Sequence, residues 1–357
     1  MAELLGFQQR GCTVWLVAHP KSQIMARARA AGINTRACTF NRRLLPLELV
    51  RWALWLKQEE IQIVNTHSSW DGWLLGLASR LARVPMPIRT RHIDTVDRSP
   101  KISRHKYTLL ADHVLTTSLK ITNYIRTTFQ LPASHVTTLP TGIDLSLFRT
   151  DGPKAGLPVK PGPVVPPVIG MVSVLRSWKG HAVFFDAVRI LRDSGRDFQY
   201  VVVGGGAPVE IYAGWAQDRS VGDCVKFTGH REDVAEVLRA LNVLCIPSIK
   251  HEGVPQIGLQ ALDCAPPCGW QRLWGYPGNH TRKGNTGRIA PAALAERIAE
   301  AVDEHEHTQK MALAGRAQVE TTHSLAFMLD RLNEIYTRHL GQPGCIKLLI
   351  HTLLRIY

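Results

Sequence analysis

The stretch that decides the fold is 171–262, in which strand-like runs alternate with turns rich in glycine and cations. Four parts of it follow in order: MVSVLRSWKG (171–180), FQYVVVGGG (198–206), VKFTGHREDV (225–234) and LNVLCIPSIKHEGVPQIGLQAL (241–262). Short apolar runs that alternate with helical patterns predict parallel βαβ units. Ligands of such sheets bind at the carboxyl ends of the strands, so the turns of this stretch are candidate binding loops.

The same alternation extends over the rest of the chain and is interrupted once. Residues 1–150 contain buried-strand runs such as CTVWLVAH and IQIVNTH between helical patterns, and a second alternation starts at residue 168 and runs to about 340. Between them, DGPKAGLPVKPGPVVPP (151–167) holds too much proline and glycine for a helix or a central strand. We therefore predict an α/β fold with two Rossmann-like domains that face each other across a cleft. The predicted parts are domain 1–150, linker 151–167, domain 168–340 and tail 341–357.

Composition narrows the class of protein. The 357 residues are 45% hydrophobic and 20% charged, which is typical of a globular chain. No stretch approaches the roughly 18–20 uninterrupted apolar residues of a membrane span, and the start lacks the features of a secretory signal. Seven cysteines at irregular spacings favour neither a disulfide framework nor a zinc site. We expect a cytoplasmic protein and predict no metal site.

The positive charge is concentrated in the first 150 residues. They hold 20 Lys and Arg against 9 Asp and Glu, so +11 of the formal net charge of +14 lies there. Such a surface attracts polyanions, and anionic lipid or a phosphorylated glycolipid is favoured over nucleic acid because no nucleic-acid-binding motif is present. A basic surface without a specific partner is the alternative.

Two cations follow the first strand of the deciding stretch. Arg176 and Lys179 stand just before the helical pattern GHAVFFDAVRILRDSG, whose first N–H groups have no partner within the helix. Cations and N–H groups together would stabilise negative charge on a departing diphosphate. Gly204 and Gly205 follow the next strand and allow close approach of a ligand or of a neighbouring helix. The alternatives are surface cations at a helix start and glycines kept for tight-turn packing.

Two strand-like runs in the first half end at a histidine. NTHS ends at His67 and IRTRH ends at His92. An imidazole at the carboxyl end of a strand is well placed to face a binding cleft. A hydrogen-bonded structural histidine is the alternative at both positions.

The order and spacing of these motifs resemble the retaining glycosyltransferases of family 4, which share the GT-B fold with glycogen synthases. HEGVPQIGLQAL resembles the family motif of two glutamates eight residues apart. The resemblance implies that Glu252 contacts the hydroxyls of the donor sugar. It also implies that Gln260 replaces the carboxylate that binds the nucleotide ribose, where a neutral amide forms weaker hydrogen bonds. His92 resembles the family histidine near the donor sugar and the acceptor.

The function implied by the resemblance is transfer of a sugar, with retention, from a UDP- or GDP-sugar to a glycolipid or polysaccharide acceptor of the lipopolysaccharide or capsule type. No cofactor and no essential metal are implied, and the enzyme is expected on the cytoplasmic side of the inner membrane as a peripheral protein. A catalytically impaired donor-binding paralogue and a GT-B nucleotide-sugar epimerase are the alternatives. The implied catalytic positions are His92 and Glu252, the implied donor-binding positions are Arg176, Lys179, Gly204, Gly205, Glu252 and Gln260, and His67 is implied on the acceptor side.

The chain departs from the family pattern in two places. Family members begin with a strand and a glycine-rich loop ahead of the helix that starts here near Met1, so we expect the first strand of the first sheet to be missing, its neighbours unpaired and thermal stability low. Residues 265–281 carry prolines and tryptophans where the family has an apolar strand and a phosphate-side loop. A one-base shift over this segment would restore both, a frameshift hypothesis that the coding DNA tests. We interpret the tail GCIKLLIHTLLRIY as a stray extension or a short amphipathic anchor.

Overall fold

The structure, a computed structural model, describes residues 1–39, 45–97, 99–160, 165–249, 254–264, 273–274, 290–341 and 346–351. The strands are β1 (Thr13–Ala18), β2 (Asn34–Ala37), β3 (Ile63–Thr66), β4 (Met86–Arg91), β5 (His113–Thr116), β6 (Val136–Thr138), β7 (Val168–Val172), β8 (Gln199–Val203), β9 (Val225–Gly229), β10 (Val243–Cys245), β11 (Leu273–Trp274) and β12 (Lys347–His351). The helices are α1 (Ala2–Gln9), α2 (Gln23–Ala30), α3 (Leu45–Gln58), α4 (Ser69–Ala82), α5 (Pro100–Thr108), α6 (Leu119–Phe129), α7 (His181–Asp193), α8 (Val209–Asp218), α9 (Val234–Ala240), α10 (Gln256–Cys264), α11 (Pro291–Asp303), α12 (His305–Thr322) and α13 (Leu325–Leu340).

The chain forms two compact units, and their limits differ from the predicted domains. Among the described residues, unit 1 contains those of 1–142 and 325–351, and unit 2 contains those of 143–324. The prediction that 168–340 forms one domain is therefore wrong for α13, which packs on α1 of unit 1 with the rings of Phe7 and Tyr336 5.5 Å apart. The predicted linker is part of unit 2, where the Ala155 N–H donates to the Glu236 carbonyl.

Unit 1 is built on a seven-stranded parallel sheet with the order β2-β1-β12-β3-β4-β5-β6. From β1 the chain moves to one side of the sheet and from β3 it moves to the other, so β12 occupies the topological switch point. Leu348 and Leu349 have no exposed surface, and Ile350 is 4% exposed. A strand with helices on both faces is expected to be a continuous apolar run, and LLI (348–350) fits that requirement.

The position of β12 corrects two predictions. The sequence led us to expect unpaired strands in the middle of the first sheet, but β12 pairs with β1 on one side and with β3 on the other. The tail was interpreted as an extension or an anchor, whereas the part from Ile346 to Ile350 lies in the core of unit 1. The family pattern places the missing strand before the first helix, whereas in this chain the apolar run that forms the strand lies near residue 350. The low thermal stability stays a prediction, but the unpaired strands that were its main physical reason are absent from the middle of the described sheet.

Unit 2 is built on a five-stranded parallel sheet with the order β11-β10-β7-β8-β9. The expectation that 265–281 contains no strand is wrong for Leu273 and Trp274, which pair with β10. The rest of that segment, 265–272 and 275–281, lies outside the described residues, so the frameshift hypothesis stays a prediction. The two parallel sheets confirm the predicted α/β class with two Rossmann-like units.

Candidate functional site

In unit 2, the loops that follow neighbouring strands are hydrogen-bonded to one another at the carboxyl edge of the sheet. The loop 173–180 after β7 contacts the glycine triplet after β8, because the Leu175 N–H donates to the Gly205 carbonyl at 2.8 Å. It also contacts the chain after β10, since the Ile249 N–H donates to the Trp178 carbonyl at 2.8 Å. Backbone hydrogen bonds of this kind fix the loop without using its side chains.

Two of the glycines make these contacts possible. Gly204 has φ +145°, and a Cβ atom there would lie 1.9 Å from the Ser173 carbonyl oxygen. Gly180 has φ +82°, and a Cβ atom there would lie 1.9 Å from the Pro247 carbonyl oxygen. Gly205 is less constrained, because its added Cβ would meet its nearest neighbour at 3.2 Å. The packing role of Gly204 is therefore visible, while contact of Gly204 and Gly205 with a ligand stays a prediction.

The two predicted cations lie on a single turn. Arg176 is the N-cap of the 3-10 turn Ser177–Lys179, and the Lys179 N–H donates to the Arg176 carbonyl at 3.0 Å. Both side chains are half-buried, and the Arg176 guanidinium carbon lies 5.0 Å from the centroid of the Trp178 ring. The structure thus brings Arg176 and Lys179 together, directly before α7.

The start of α7 has no anionic side chain of its own. Its N-cap is Gly180, which offers no side-chain acceptor, and the first turn contains no acidic residue. The N–H groups of that turn therefore carry the partial positive charge of the helix dipole without a cap from within the helix. This is the local chemistry that binds phosphate groups at helix N-termini.

His181, the first residue of α7, was not predicted as part of the site. It has no exposed surface, and its ring lies 4.7 Å from the Tyr212 ring in an edge-to-face contact. Burial lowers the pKa of His181 to about 4, and the charge of Lys179 adds to the effect. The ring is therefore neutral at physiological pH. The residue type did not predict the burial of His181, because histidine is intermediate in its tendency to be buried.

The remaining predicted donor residues lie after β10. Gln260 is half-buried in the middle of α10. Glu252 lies outside the described residues, so its role stays a prediction. Sequence reasoning missed Asp263, which is 1% exposed at the end of the same helix. Burial raises the pKa of Asp263 to about 6, and Arg316, whose Nε lies 3.9 Å from the carboxylate, opposes that rise.

In unit 1, the structure joins the two predicted histidines. His67 follows β3 and His92 follows β4, and their Nδ1 and Nε2 atoms are 2.8 Å apart. The rings are stacked, with centroids 4.9 Å apart. Desolvation and the positive charge of Arg89 lower the pKa of His92, although its ring keeps contact with solvent. The adjacent, parallel strands explain the pairing, because their carboxyl ends meet at the same edge of the sheet.

Sequence reasoning missed the charged groups beneath this pair. Asp71 has no exposed surface and Arg89 is 5% exposed, and their nearest polar atoms are 4.0 Å apart. Lys106 is 4% exposed and donates to the Ser69 hydroxyl at 2.9 Å. Burial and the charge of Arg89 lower the pKa of Lys106 to about 8. Two arginines inside the strand-like run IRTRH were the available signal, because charged residues in a central parallel strand are rare.

Comparison with known proteins finds a glycosyltransferase family model that matches each half of the chain. Residues 4–147 match the family model described as Glycosyltransferase Family 4, and residues 159–318 match the model described as Glycosyl transferases group 1. Together with the two parallel sheets, these matches make the chain similar to glycosyltransferases of family 4 and group 1 with the GT-B fold.

Particular relatives refine this assignment. The chain is 27% identical over 234 residues to the UDP-Gal:alpha-D-GlcNAc-diphosphoundecaprenol alpha-1,3-galactosyltransferase of Escherichia coli, across 60% of this chain and 58% of that protein. The match therefore spans less than two thirds of the relative's length. The fold of this chain is similar to that of a glycosyltransferase from Rickettsia africae, with a TM-score of 0.78 and 16% identity. The match covers 96% of this chain and 94% of the other. The fold is also similar to that of Anabaena Alr3699/HepE in complex with UDP-glucose, with a TM-score of 0.74, 15% identity, and 94% of each chain covered.

Proposed function

We propose that this protein transfers a sugar from a UDP-sugar donor to a lipid-linked or polysaccharide acceptor, with retention of the anomeric configuration. The observation that carries the proposal is the start of α7, where an uncapped helix end follows a turn with two cations. The printed names of the Escherichia coli and Anabaena proteins support a uridine nucleotide. The same loops would also accept the diphosphate of GDP, so the base is decided by measurement.

The donor diphosphate would bind against the turn that contains Arg176 and Lys179. The backbone of the turn that carries the two cations and the first N–H groups of α7 is fixed before the ligand arrives, because backbone hydrogen bonds hold the loop. Such preorganised donors stabilise the charge that develops on the departing diphosphate more than the charge of the intact donor. Glu252 would orient the sugar, and Gln260 would bind the ribose with a neutral amide.

The acceptor hydroxyl would bind at the histidine pair of unit 1. His92 and His67 form one hydrogen-bonded unit at the carboxyl edge of the first sheet. When both imidazoles of such a pair are neutral, one nitrogen accepts the shared proton and one further nitrogen is unprotonated and can accept a hydrogen bond from a hydroxyl group. We expect the transfer to need no cofactor and no metal ion besides the nucleotide sugar.

A membrane-bound acceptor is supported by the outer face of α3. Leu47, Val50 and Leu54 are 66%, 53% and 65% exposed and lie on one face of this helix, with Arg51 and Lys57 also exposed. Apolar side chains beside cations are typical of helices that lie in the interface of an anionic bilayer. No helix in the described part of the chain is long and apolar enough to cross a bilayer.

Calorimetric titration with UDP and with GDP tests the donor site. We expect Lys179→Ala and Arg176→Ala each to weaken UDP binding by roughly 10- to 100-fold, because a charge-assisted hydrogen bond contributes about 1.5–3 kcal/mol. Arg189→Ala is the matched control, since Arg189 is an exposed cation on α7, the helix that follows the turn. Equal UDP affinity in all three variants would refute the placement of the diphosphate.

A transfer assay then separates the proposed enzyme from its alternatives. The purified protein is incubated with UDP-galactose, UDP-glucose and UDP-N-acetylglucosamine, with and without undecaprenyl-diphosphate-linked sugar and with and without EDTA. NMR of the product reports the anomeric configuration, and inversion would contradict retention. Donor binding without turnover would identify an impaired donor-binding paralogue. An epimerised donor formed without acceptor would identify an epimerase.

Vesicle sedimentation tests the membrane surface on α3. We expect binding to vesicles that contain phosphatidylglycerol and little binding to phosphatidylcholine alone. The double variant Leu47→Glu with Leu54→Glu should lose this binding, whereas Leu313→Glu, an exposed position on α12, should keep it. Equal sedimentation of both variants would show that α3 is not the contact.

A further inference from the structure

The short turn between β3 and α4 is held by one buried carboxylate. Asp71 Oδ2 accepts from the His67 N–H at 2.7 Å, and the Ser68 N–H donates to both carboxylate oxygens at 2.8 and 2.9 Å. The Ser68 hydroxyl and the Gly72 N–H donate to Oδ1 at 2.8 and 2.7 Å. A buried carboxylate is stable only when hydrogen-bond donors surround it. Here the donors are backbone N–H groups of the turn and the Ser68 hydroxyl.

Arg89 closes the arrangement from the neighbouring strand. Its Nη1 donates to the Ser68 carbonyl at 2.6 Å and lies 4.0 Å from Asp71 Oδ1. Its guanidinium carbon lies 5.1 Å from the centroid of the Tyr107 ring. Gly72 provides the space, because a Cβ atom there would lie 2.4 Å from Arg89 Nη1. Asp71 and Arg89 thus hold the N–H and the C=O sides of one turn and balance each other's charge.

The turn held in this way carries His67 to His92. The Nδ1 of His67 reaches the Nε2 of His92 at 2.8 Å, which is possible only when exactly one of these two nitrogens carries the shared proton. His92 is fixed from its other side, since the Thr117 hydroxyl donates to its carbonyl at 3.2 Å. A change in the backbone at His67 would therefore break the contact between the rings, with no substitution in either ring.

We propose that Asp71 and Arg89 are positioning residues for the His67–His92 pair. They fix the turn at His67 so that the two rings share one proton and keep an unprotonated nitrogen for the acceptor hydroxyl. The functional part of this statement rests on the proposed function, whereas the structural part concerns the histidine pair alone. Arg89 adds an electrostatic effect in the same direction, because a cation beside His92 disfavours a second positive charge there.

Substitutions that keep the size of the side chain but change its charge or its hydrogen-bonding groups test the proposal. Asp71→Asn removes the charge and replaces one acceptor oxygen with a donor, and Arg89→Met removes the donors, while Arg89→Lys restores a charge. Arg80→Met is the matched control on the same helix, since Arg80 forms an ion pair with Asp112 at the surface. Gly72→Ala is a milder perturbation that pushes on Arg89, for use if a charge variant does not fold.

The first readout is the ¹⁵N NMR spectrum of the imidazoles, with His67→Asn and His92→Asn used to assign the signals. In the unmodified protein we expect one protonated and one unprotonated nitrogen at the shared contact. Asp71→Asn, Arg89→Met and Gly72→Ala should change both histidine signals, and Arg80→Met should not. Unchanged histidine signals in folded Asp71→Asn and Arg89→Met proteins would overturn the proposal.

The second readout is kinetic. We expect kcat to fall by about 10- to 100-fold in Asp71→Asn and Arg89→Met, as for residues that orient a reacting group. The KM for donor and the Kd for UDP should stay within about twofold, and Arg89→Lys should recover part of the lost kcat. A rise in donor KM with unchanged kcat would also overturn the proposal. If the unmodified protein transfers no sugar, the proposed function fails while the NMR measurement still decides the positioning role.

Discussion

The two units hold the loops at the ends of their strands by different means. In unit 1 side chains form the hydrogen bonds of the turn before α4. Asp71, at the third position of the helix, accepts from N–H groups of the turn, and Arg89 donates to a carbonyl group of the turn. In unit 2 the loop before α7 is held by backbone hydrogen bonds and by glycines, and no acidic side chain stands in the first turn. Both turns connect a strand to a helix in a parallel sheet.

The difference shows which helix start is open to an outside anion. An internal carboxylate already neutralises the dipole of α4, so a phosphate there would meet a negative charge. At α7 the same position is Val183, and the cations Arg176 and Lys179 lie in the turn directly before the helix. In our proposals the first turn orients His67, and the second binds the donor diphosphate. The residue at the third helical position is thus one clear difference between two helix starts that both follow a strand of a parallel sheet.

The largest expected effect tests whether each unit has its own core. Leu349→Asp places a carboxylate in a fully buried position of β12 and should destabilise unit 1 by more than about 4 kcal/mol. Hydrogen exchange should show loss of protection in β3 and β4 and retained protection in β7 and β8. Leu81→Asp, at a position that is 62% exposed in the same unit, should leave both units protected. Simultaneous loss in both units would show that they do not fold separately.

A smaller effect is expected where unit 2 relies on glycine. Gly204→Ala forces a side chain into a left-handed backbone and against the Ser173 carbonyl, which should cost about 2–4 kcal/mol. Gly205→Ala has a contact of 3.2 Å with a side-chain atom and no positive φ, so it should cost less than about 1 kcal/mol. Urea unfolding of both variants gives the comparison. Similar costs at the two positions would contradict the packing described for this loop.

The pH dependence of unit 2 is expected to be next in size. The pKa of His181 is about 4 in the folded protein and about 6.5 when unfolded, so between these values only the unfolded chain takes up the proton. Stability should therefore fall as pH decreases from 6.5 towards 4, by up to about 1.4 kcal/mol per pH unit. His181→Gln should lose this dependence. Because Asp263 titrates with the opposite sign, the quantity to compare is the difference between the variant and the unmodified protein.

The smallest expected effect converts one helix start into the other. Val183→Asp gives α7 a carboxylate at the third position, where α4 has Asp71. Val183→Asn is the control, because it loses the same packing and adds no charge. We expect UDP to bind about 3- to 10-fold more weakly to the Asp variant than to the Asn variant, with the difference reduced at high salt. Equal affinity at low salt would mean that the start of α7 does not contact the diphosphate.

Much of the fold could be predicted from the sequence because periodicity reports burial directly. Runs such as VIGMV and YVVV can only be buried strands in this context, and both are central strands of unit 2. The place of β12 could not be predicted in the same way. An apolar run shows that a segment is buried, but not which strands it joins, and its neighbours β1 and β3 are more than 280 residues away in the chain.

The candidate site was predictable where chemistry is local. Arg176 and Lys179 are three residues apart, so any turn brings them together. His67 and His92 were each expected at a strand end, but their contact depends on two strands being neighbours in the sheet. Asp71 and Arg89 were missed because a charged residue in a helix or a strand is ordinarily exposed. The structure shows their relation through Gly72, which lies next to Asp71 in the chain and leaves the space that the Arg89 side chain occupies.

The order of β12 in the chain sets an order of events during synthesis. The edges of β1 and β3 stay without their shared partner until the whole of unit 2 has left the ribosome, since β12 follows it in the chain. Unit 2 is made without interruption and can mature first. Open strand edges invite pairing with other chains, so this delay is the period in which the nascent first half is most prone to aggregation.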